Sequence, residues 1–193
     1  MDSADCFTVY FTGQLSSVKI PGCKNAYCRY QVLHGEDWER LQGAEHGLTQ
    51  LARGGRKQEL VWNFPLELAY RSTNAHGWPQ LIVSVYGFDG WGRDVIRGYG
   101  SAYLPTFSGR HKVKMHLFRP QSATTAQAFT GWLWGMQAEY ADGAYPGCTE
   151  GRELTRTISA GQVNVEMTTM TKDMELYGYS DGAQPVSTRN GPA

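Results

Sequence analysis

The sequence predicts an all-β domain, an antiparallel sandwich of roughly eight strands with one short helix near residues 123–136. Three observations predict it. Apolar residues alternate with polar ones at the two-residue period of a half-buried strand, in segment after segment. Turn signals separate those segments at short intervals, in a chain with 23 glycines and a 12% aromatic share. Only one stretch carries the spacing of a buried helical stripe.

Phe7, Val9 and Phe11 alternate with Thr8, Tyr10 and Thr12 in a first strand, which Gly13 is expected to end. Ser16 to Lys24 reads as a turn segment around Pro21-Gly22, and Ala26 to Leu33 as a second strand with Cys28, Tyr30 and Val32 on one face. His34 to Arg56 is polar and holds Gly35, Gly43, Gly47, Gly54 and Gly55. A long connection with a mobile middle and a helical turn around Ala44 to Leu51 is expected there.

From Glu59, Leu60, Trp62 and Phe64 share a face; Leu66, Leu68 and Tyr70 resume it beyond Pro65. Proline cannot donate to a ladder, so Pro65 places a break at a bulge or an edge. After a turn over Arg71 to Pro79, Trp78 to Leu104 reads as two strands joined by a loop. Leu81, Val83 and Val85 point one way and Ile82, Ser84 and Tyr86 the other, while Gly87, Gly90 and Gly92 interrupt any continuation. Pro105 to Gly109 turns the chain into a strand in which His111, Val113, Met115 and Leu117 alternate with Lys112, Lys114 and His116, giving one wet, basic face.

Ser122 is a candidate N-cap for the helix, whose buried stripe is Phe129, Trp132, Leu133 and Met136; Gly131 and Gly135 keep it short. Tyr140 to Gly151 reads as loop. Val163, Val165, Met167 and Thr169 form the last strand. Residues 180–193, rich in Gly, Ser, Pro and Asn, are expected to be a disordered tail to a domain spanning 1–179.

A single domain of 193 residues buries roughly 70% of the surface its unfolded chain exposes and needs no staples. Eighteen basic residues balance eighteen acidic ones, so no net field favours nucleic acid, and any basic patch is local. The first thirty residues lack an apolar run of signal-peptide length, and no run approaches the ~20 apolar residues of a membrane span. A soluble, intracellular protein is expected. Cys6, Cys23, Cys28 and Cys148 show no CxxC spacing, which argues against a zinc ribbon or redox motif and favours free thiols.

No catalytic set stands out. His34, His46, His76, His111 and His116 are scattered, and His111 and His116, five apart on a strand, point to opposite faces. No serine sits in a Gly-x-Ser-x-Gly elbow. Gly98-Tyr99-Gly100 lacks the setting of a phosphate loop, and its glycines are expected to permit close sheet packing. Two surface features remain: the basic stripe of Arg110, Lys112 and Lys114, and the loop Phe88 to Arg93, which sets Phe88 and Trp91 among glycines beside Asp89 and Asp94. Burying such rings gains about 1.5–3 kcal/mol each, so they are expected either to pack under a neighbouring loop or, if exposed, to be candidate contacts for a protein or a membrane.

Asn25-Ala26-Tyr27, Leu60-Val61-Trp62-Asn63-Phe64-Pro65-Leu66, and Val85-Tyr86-Gly87-Phe88-Asp89 followed by Asp94-Val95-Ile96-Arg97-Gly98 together resemble the C2 domain. In turn they resemble its Asp-Pro-Tyr signature, its proline-tryptophan-asparagine strand junction and its calcium loop. The resemblance implies an eight-stranded sandwich of C2-like Greek-key topology. It does not carry the calcium chemistry with it. Such a site needs several carboxylates around a cation that takes six to eight oxygens. Here the Asp-Pro-Tyr aspartate position holds Asn25 and the first calcium-loop aspartate position holds Gly87, leaving Asp89 and Asp94. No metal and no cofactor are expected.

Ser72-Thr73-Asn74, Gly77-Trp78-Pro79-Gln80, Asp94 to Gly100, Gly109-Arg110-His111-Lys112, Glu150-Gly151-Arg152-Glu153 and Thr171-Lys172-Asp173-Met174 further resemble the B9 branch of C2 domains, over about Cys6 to Tyr179. That resemblance implies a non-enzymatic scaffold of the ciliary transition-zone complex, the tectonic-like or Meckel-syndrome module, which helps form a membrane diffusion barrier. Its implied partners are B9 domain-containing protein 2, the Meckel syndrome type 1 protein and other members of that complex. Its implied location is the cytoplasm and cytoskeleton at the ciliary basal body and transition zone. The competing expectation is a calcium-independent phospholipid-binding C2 domain that docks Lys112 and Lys114 on an anionic membrane surface. A sugar-binding sandwich using Trp91 or Trp78 as a stacking platform is a third.

Overall fold

The computed structural model describes residues 6–54, 59–120 and 157–180. Alternating apolar positions make strands because one pleated face can then be buried whole. That face is the core: Phe7, Val9 and Phe11 are fully buried, as are Val163, Val165 and Met167, and Met115 and Leu117. Ten strands are described: β1 (Phe7–Lys19), β2 (Asn25–Leu33), β3 (Trp38–Gly43), β4 (His46–Leu48), β5 (Ala52–Arg53), β6 (Glu59–Ser72), β7 (Gln80–Phe88), β8 (Asp94–Tyr103), β9 (Gly109–Pro120) and β10 (Thr157–Lys172). They run in the order β3-β6-β1-β10-β9-β8-β7-β2-β4, with β5 against β2, and every pairing is antiparallel.

The sheet curls into two facing layers, β3-β6-β1-β10-β9 and β8-β7-β2-β4, around one apolar core. Among the described residues a single pair, Tyr99 opposite Phe118, joins β8 to β9. On the other side, the Trp62 indole N–H donates to the Ala26 carbonyl at 3.0 Å and the Gln50 amide to the Trp62 carbonyl at 2.5 Å. At one end of the sandwich, Trp38 packs edge-on against Phe7, Tyr70 and Trp78, with centroids 5.0 to 6.4 Å apart. Such pairs contribute about 0.5–1.5 kcal/mol each beyond area burial. Gly98 and Gly100 give β8 its close approach, since a Cβ on either would stand 3.0 to 3.1 Å from Leu117 or Met115.

Several expectations need correction. Among the described residues there are ten strands where roughly eight were expected. β1 does not end at Gly13 but runs to Lys19, because the missing side chain lets β10 close in: a Cβ there would sit 2.1 Å from the Glu166 carbonyl oxygen. Of the expected turn from Ser16 to Lys24, only the Pro21-Gly22 corner is a turn. Over its described residues, His34 to Gly54, the connection is neither a helical turn nor an unpaired loop; it lays β3 on β6 and β4 and β5 on β2. Its strands are held by backbone pairing on exposed edges, so they need no apolar alternation. The irregularity expected at Pro65 falls just before it, at Asn63, where φ is 46° and the β1 register shifts. A short 3-10 helix, Met174–Tyr177, follows β10 and buries Met174. The expected helix near residues 123–136, the loop from Tyr140 to Gly151 and the tail over 181–193 lie outside the described residues.

Candidate functional site

The loop joining β7 to β8 is built on Asp89. Its Oδ1 accepts the backbone N–H of Trp91 at 2.8 Å and of Arg93 at 2.9 Å, while Oδ2 accepts the Arg93 Nε–H at 2.8 Å. The Asp89 N–H donates in turn to the Arg93 carbonyl at 2.9 Å, and the Gly92 N–H to the Asp89 carbonyl at 3.1 Å. Gly92, at φ 79°, takes the left-handed step that the tight turn requires. Desolvation pushes the Asp89 carboxyl upward, but the bonds from Arg93 and Trp91 outweigh it, and its pKa lies below the ordinary carboxylate value.

β2 braces the base of the loop. The Asn25 Oδ1 accepts the Phe88 N–H at 2.8 Å, the Arg97 guanidinium donates to the Phe88 carbonyl at 2.5 Å, and the Tyr27 hydroxyl donates to the Asp94 carboxylate. Tyr27 stacks on Tyr86, with centroids 5.3 Å apart and planes at 12°. Burial, and then the neighbouring Asp94 carboxylate, hold the Tyr27 hydroxyl well above its usual pKa, so it stays a donor.

This construction leaves little for a cation. A Cβ at Gly87 would stand 2.5 Å from the Asn25 carbonyl oxygen and 3.3 Å from the Cys23 thiol, so Gly87, which the sequence resemblance sets against the first calcium-loop aspartate, has no room for a side chain. Asp89 is spent on its own loop and Asp94 is bound by Tyr27. Among the described residues no three His, Cys, Asp or Glu side chains converge as ligands. Cys6, Cys23 and Cys28 are free thiols, and desolvation pushes the wholly buried Cys28 far above its ordinary pKa. What the loop presents is apolar: Trp91 is 77% exposed at the tip and Phe88 38% exposed beside it.

Asn25, Gly87, Phe88, Asp89, Trp91, Arg93 and Asp94 thus come together at one end of the sandwich. Arg110, Lys112 and Lys114 do not join them. β9 runs antiparallel to β8, and Phe118 already lies opposite Tyr99, so the stripe falls toward Tyr103, at the far end from the loop. There Glu166 on β10 takes Arg110 at 2.8 Å and Lys112 at 3.4 Å, and these two partners depress its carboxyl pKa. Trp78 is no platform: it is buried, and its indole N–H donates to the Leu104 carbonyl at 2.9 Å. The sequence reading missed Tyr27, Tyr86, Arg97 and Glu166 as parts of these sites. Tyr27 lay within a quoted motif, whereas Glu166 gave no signal, because its neighbours are set by strand pairing across a long stretch of chain.

The chain matches the B9-C2 family, described as ciliary basal body-associated B9 protein, over residues 9–170. It is 42% identical to mouse B9 domain-containing protein 1 over 97% of this chain and 92% of that protein, and 39% identical to the human one over 99% and 95%. It is 28% identical to bovine B9 domain-containing protein 2 over 88% of this chain and 97% of that protein. A solved structure, a C2 domain of plant extended synaptotagmin 1, covers 83% of this chain and 92% of its own at a TM-score of 0.40 and 10% identity, too distant to carry an argument. The relatives and the matched span agree: this chain belongs to the family of ciliary basal body-associated B9 proteins.

Proposed function

We propose that this chain is a non-enzymatic scaffold component of the ciliary transition-zone complex, acting through protein contacts with other B9 proteins at the ciliary base. The observation that carries the reading is Trp91, held 77% exposed on a loop whose own acid, Asp89, fixes its backbone. A large ring on a braced tip loses little conformational freedom when it inserts into a partner, and such aromatics dominate interface energetics. Phe88 widens the apolar tip and Arg93 and Arg97 rim it, in the pattern of an apolar centre with a polar border. The loop binds no calcium in this reading, since Gly87 is closed and both carboxylates are engaged. Titration calorimetry that found a micromolar calcium site would refute that part.

The partners this reading names are B9 domain-containing protein 2 and the Meckel syndrome type 1 protein. Co-expression of all three should yield a stable complex on purification, and Trp91→Ala should weaken it. Recovery of a lone chain from cells expressing all three would sink the proposal. The competing reading, phospholipid binding by the basic stripe, predicts flotation with anionic vesicles that fades with rising salt. Glu166 already engages two of the three cations of that stripe, which favours the protein reading.

A further inference from the structure

The outer face of the β8-β7-β2-β4 layer carries two arginines on either side of a tyrosine stack. Ala26, Cys28 and Tyr30 belong to the core, so Asn25, Tyr27 and Arg29, which alternate with them along β2, point outward. Cross-strand partners share a face. Arg53 of β5 stands opposite Asn25, Leu48 of β4 opposite Arg29, and Tyr86 of β7 opposite Tyr27. Arg29 and Arg53 are exposed, and Leu48 is 54% exposed. The Arg29 guanidinium carbon lies 6.0 Å from the centre of the Tyr86 ring, which stacks on Tyr27. The Tyr27 hydroxyl is tied to Asp94, so the aromatic platform is anchored. Among the described residues no carboxylate pairs with Arg29 or Arg53. The two acids of the adjoining loop are already engaged, Asp89 by Arg93 and Asp94 by Tyr27.

We infer that this face binds an acidic segment of a partner protein through two carboxylates, one on Arg29 and one on Arg53, astride the tyrosine stack. The inference rests on the reading of the Trp91 loop as a protein contact and names the chemistry of the partner there, since Tyr86 lies two residues before Phe88 at the foot of that loop. Arg53 marks the level of Asn25, four residues from Arg29 on the same strand, a span of about 13 Å at roughly 3.3 Å per residue. The partner's two acids are spaced on that scale. A guanidinium laid against an aromatic ring keeps its N–H edge for a bidentate carboxylate, a geometry that an ammonium does not reproduce. Leu48 adds apolar area beside Arg29, and Trp, Tyr and Arg are the residue types that concentrate binding energy in interfaces. Two arginines without acids of their own repel a second copy of the same face, so the face selects an unlike chain.

The test titrates the fluorescently labelled whole chain with the purified pair of partners named above, followed by anisotropy. Arg29→Glu with Arg53→Glu should weaken binding at least about tenfold and flatten its dependence on salt. Arg29→Lys should fall between the native chain and Arg29→Gln, because charge remains while the planar fork is lost. Both arginines are exposed, so every one of these variants should keep the native denaturation midpoint. Trp91→Ala probes the underlying reading by itself. Weaker binding in Trp91→Ala beside native affinity in the arginine double variant would overturn the inference and leave that reading standing. The reverse result would keep the acidic contact and remove the Trp91 tip. No binding by the native chain would end both. A double variant that loses phosphatidylserine vesicles in flotation yet keeps the partner pair would assign the face to a membrane and overturn the inference.

Discussion

Trp78 and Trp91 bracket the same strand, and each stands near a glycine in the sequence. Trp78 enters β7 from the aromatic end of the core, only 9% exposed, with Trp38 5.0 Å away and Phe11 6.2 Å away, both edge-on. Trp91 follows β7 on a loop that Asp89 braces from within, and its ring stands out from the fold. One ring holds the two layers together and the other is held away from them. A tryptophan beside a turn is therefore not a site or a core residue by type; the strands that converge on it decide.

The comparison is sharpened most by removing the buried ring. Trp78→Ala should cost about 3–5 kcal/mol in a denaturant titration, through the cavity it opens and the unpaired Leu104 carbonyl it leaves. A loss under about 1 kcal/mol would mean the aromatic end is not a structural plug. Next in size is Gly87→Asp, which restores the acid of a calcium loop. It should destabilise by about 1–3 kcal/mol because its Cβ meets the Asn25 backbone oxygen, and it should create no micromolar calcium site by calorimetry.

A smaller effect is expected from the loop's own acid. The Asp89 pKa is depressed in the fold, so its bracing is fully present above the unfolded carboxyl value of about 3.9 and is lost as pH falls through the lower folded value. Trp91 emission should shift over that acidic window in the native chain. Asp89→Asn should flatten the transition; an unchanged titration would detach Trp91 from Asp89. Smallest in stability is Trp91→Ala, expected within about 0.5 kcal/mol of the native chain by denaturation, with its effect confined to partner capture.

The strands that fill the core were legible because burial on one face leaves a period of two. Phe7 to Phe11, Met115 to Leu117 and Val163 to Thr169 all lie as their alternation predicts, whereas Leu81 to Val85 is buried on both faces. β3, β4 and β5 were not legible, since edge strands such as Glu39 to Gly43 are exposed almost throughout and are held by backbone bonds that any side chain permits. Gly13 misled for a related reason. It reads as a breaker, yet here it removes a side chain where β10 must pass.

The candidate loop was half legible. Phe88, Trp91 and the missing aspartate at Gly87 stood in the sequence, and so did the family to which the chain belongs. The engagement of Asp89 by Arg93 is local, four residues apart, and its chemistry was in reach of sequence reasoning. The engagement of Asp94 by Tyr27 and of Glu166 by Arg110 and Lys112 was not, because it joins residues far apart in the chain.

By itself the sequence determined the class of fold, the faces of the core strands and the poverty of carboxylates in the loop, because these depend on residue type and short-range spacing. Only the tertiary structure decided that Trp78 is buried and Trp91 exposed, that Gly87 has no space for an acid, and that the basic stripe lies at the far end from the loop. Those outcomes depend on which strands pair and in what register, and pairing is a long-range choice made by the whole core at once.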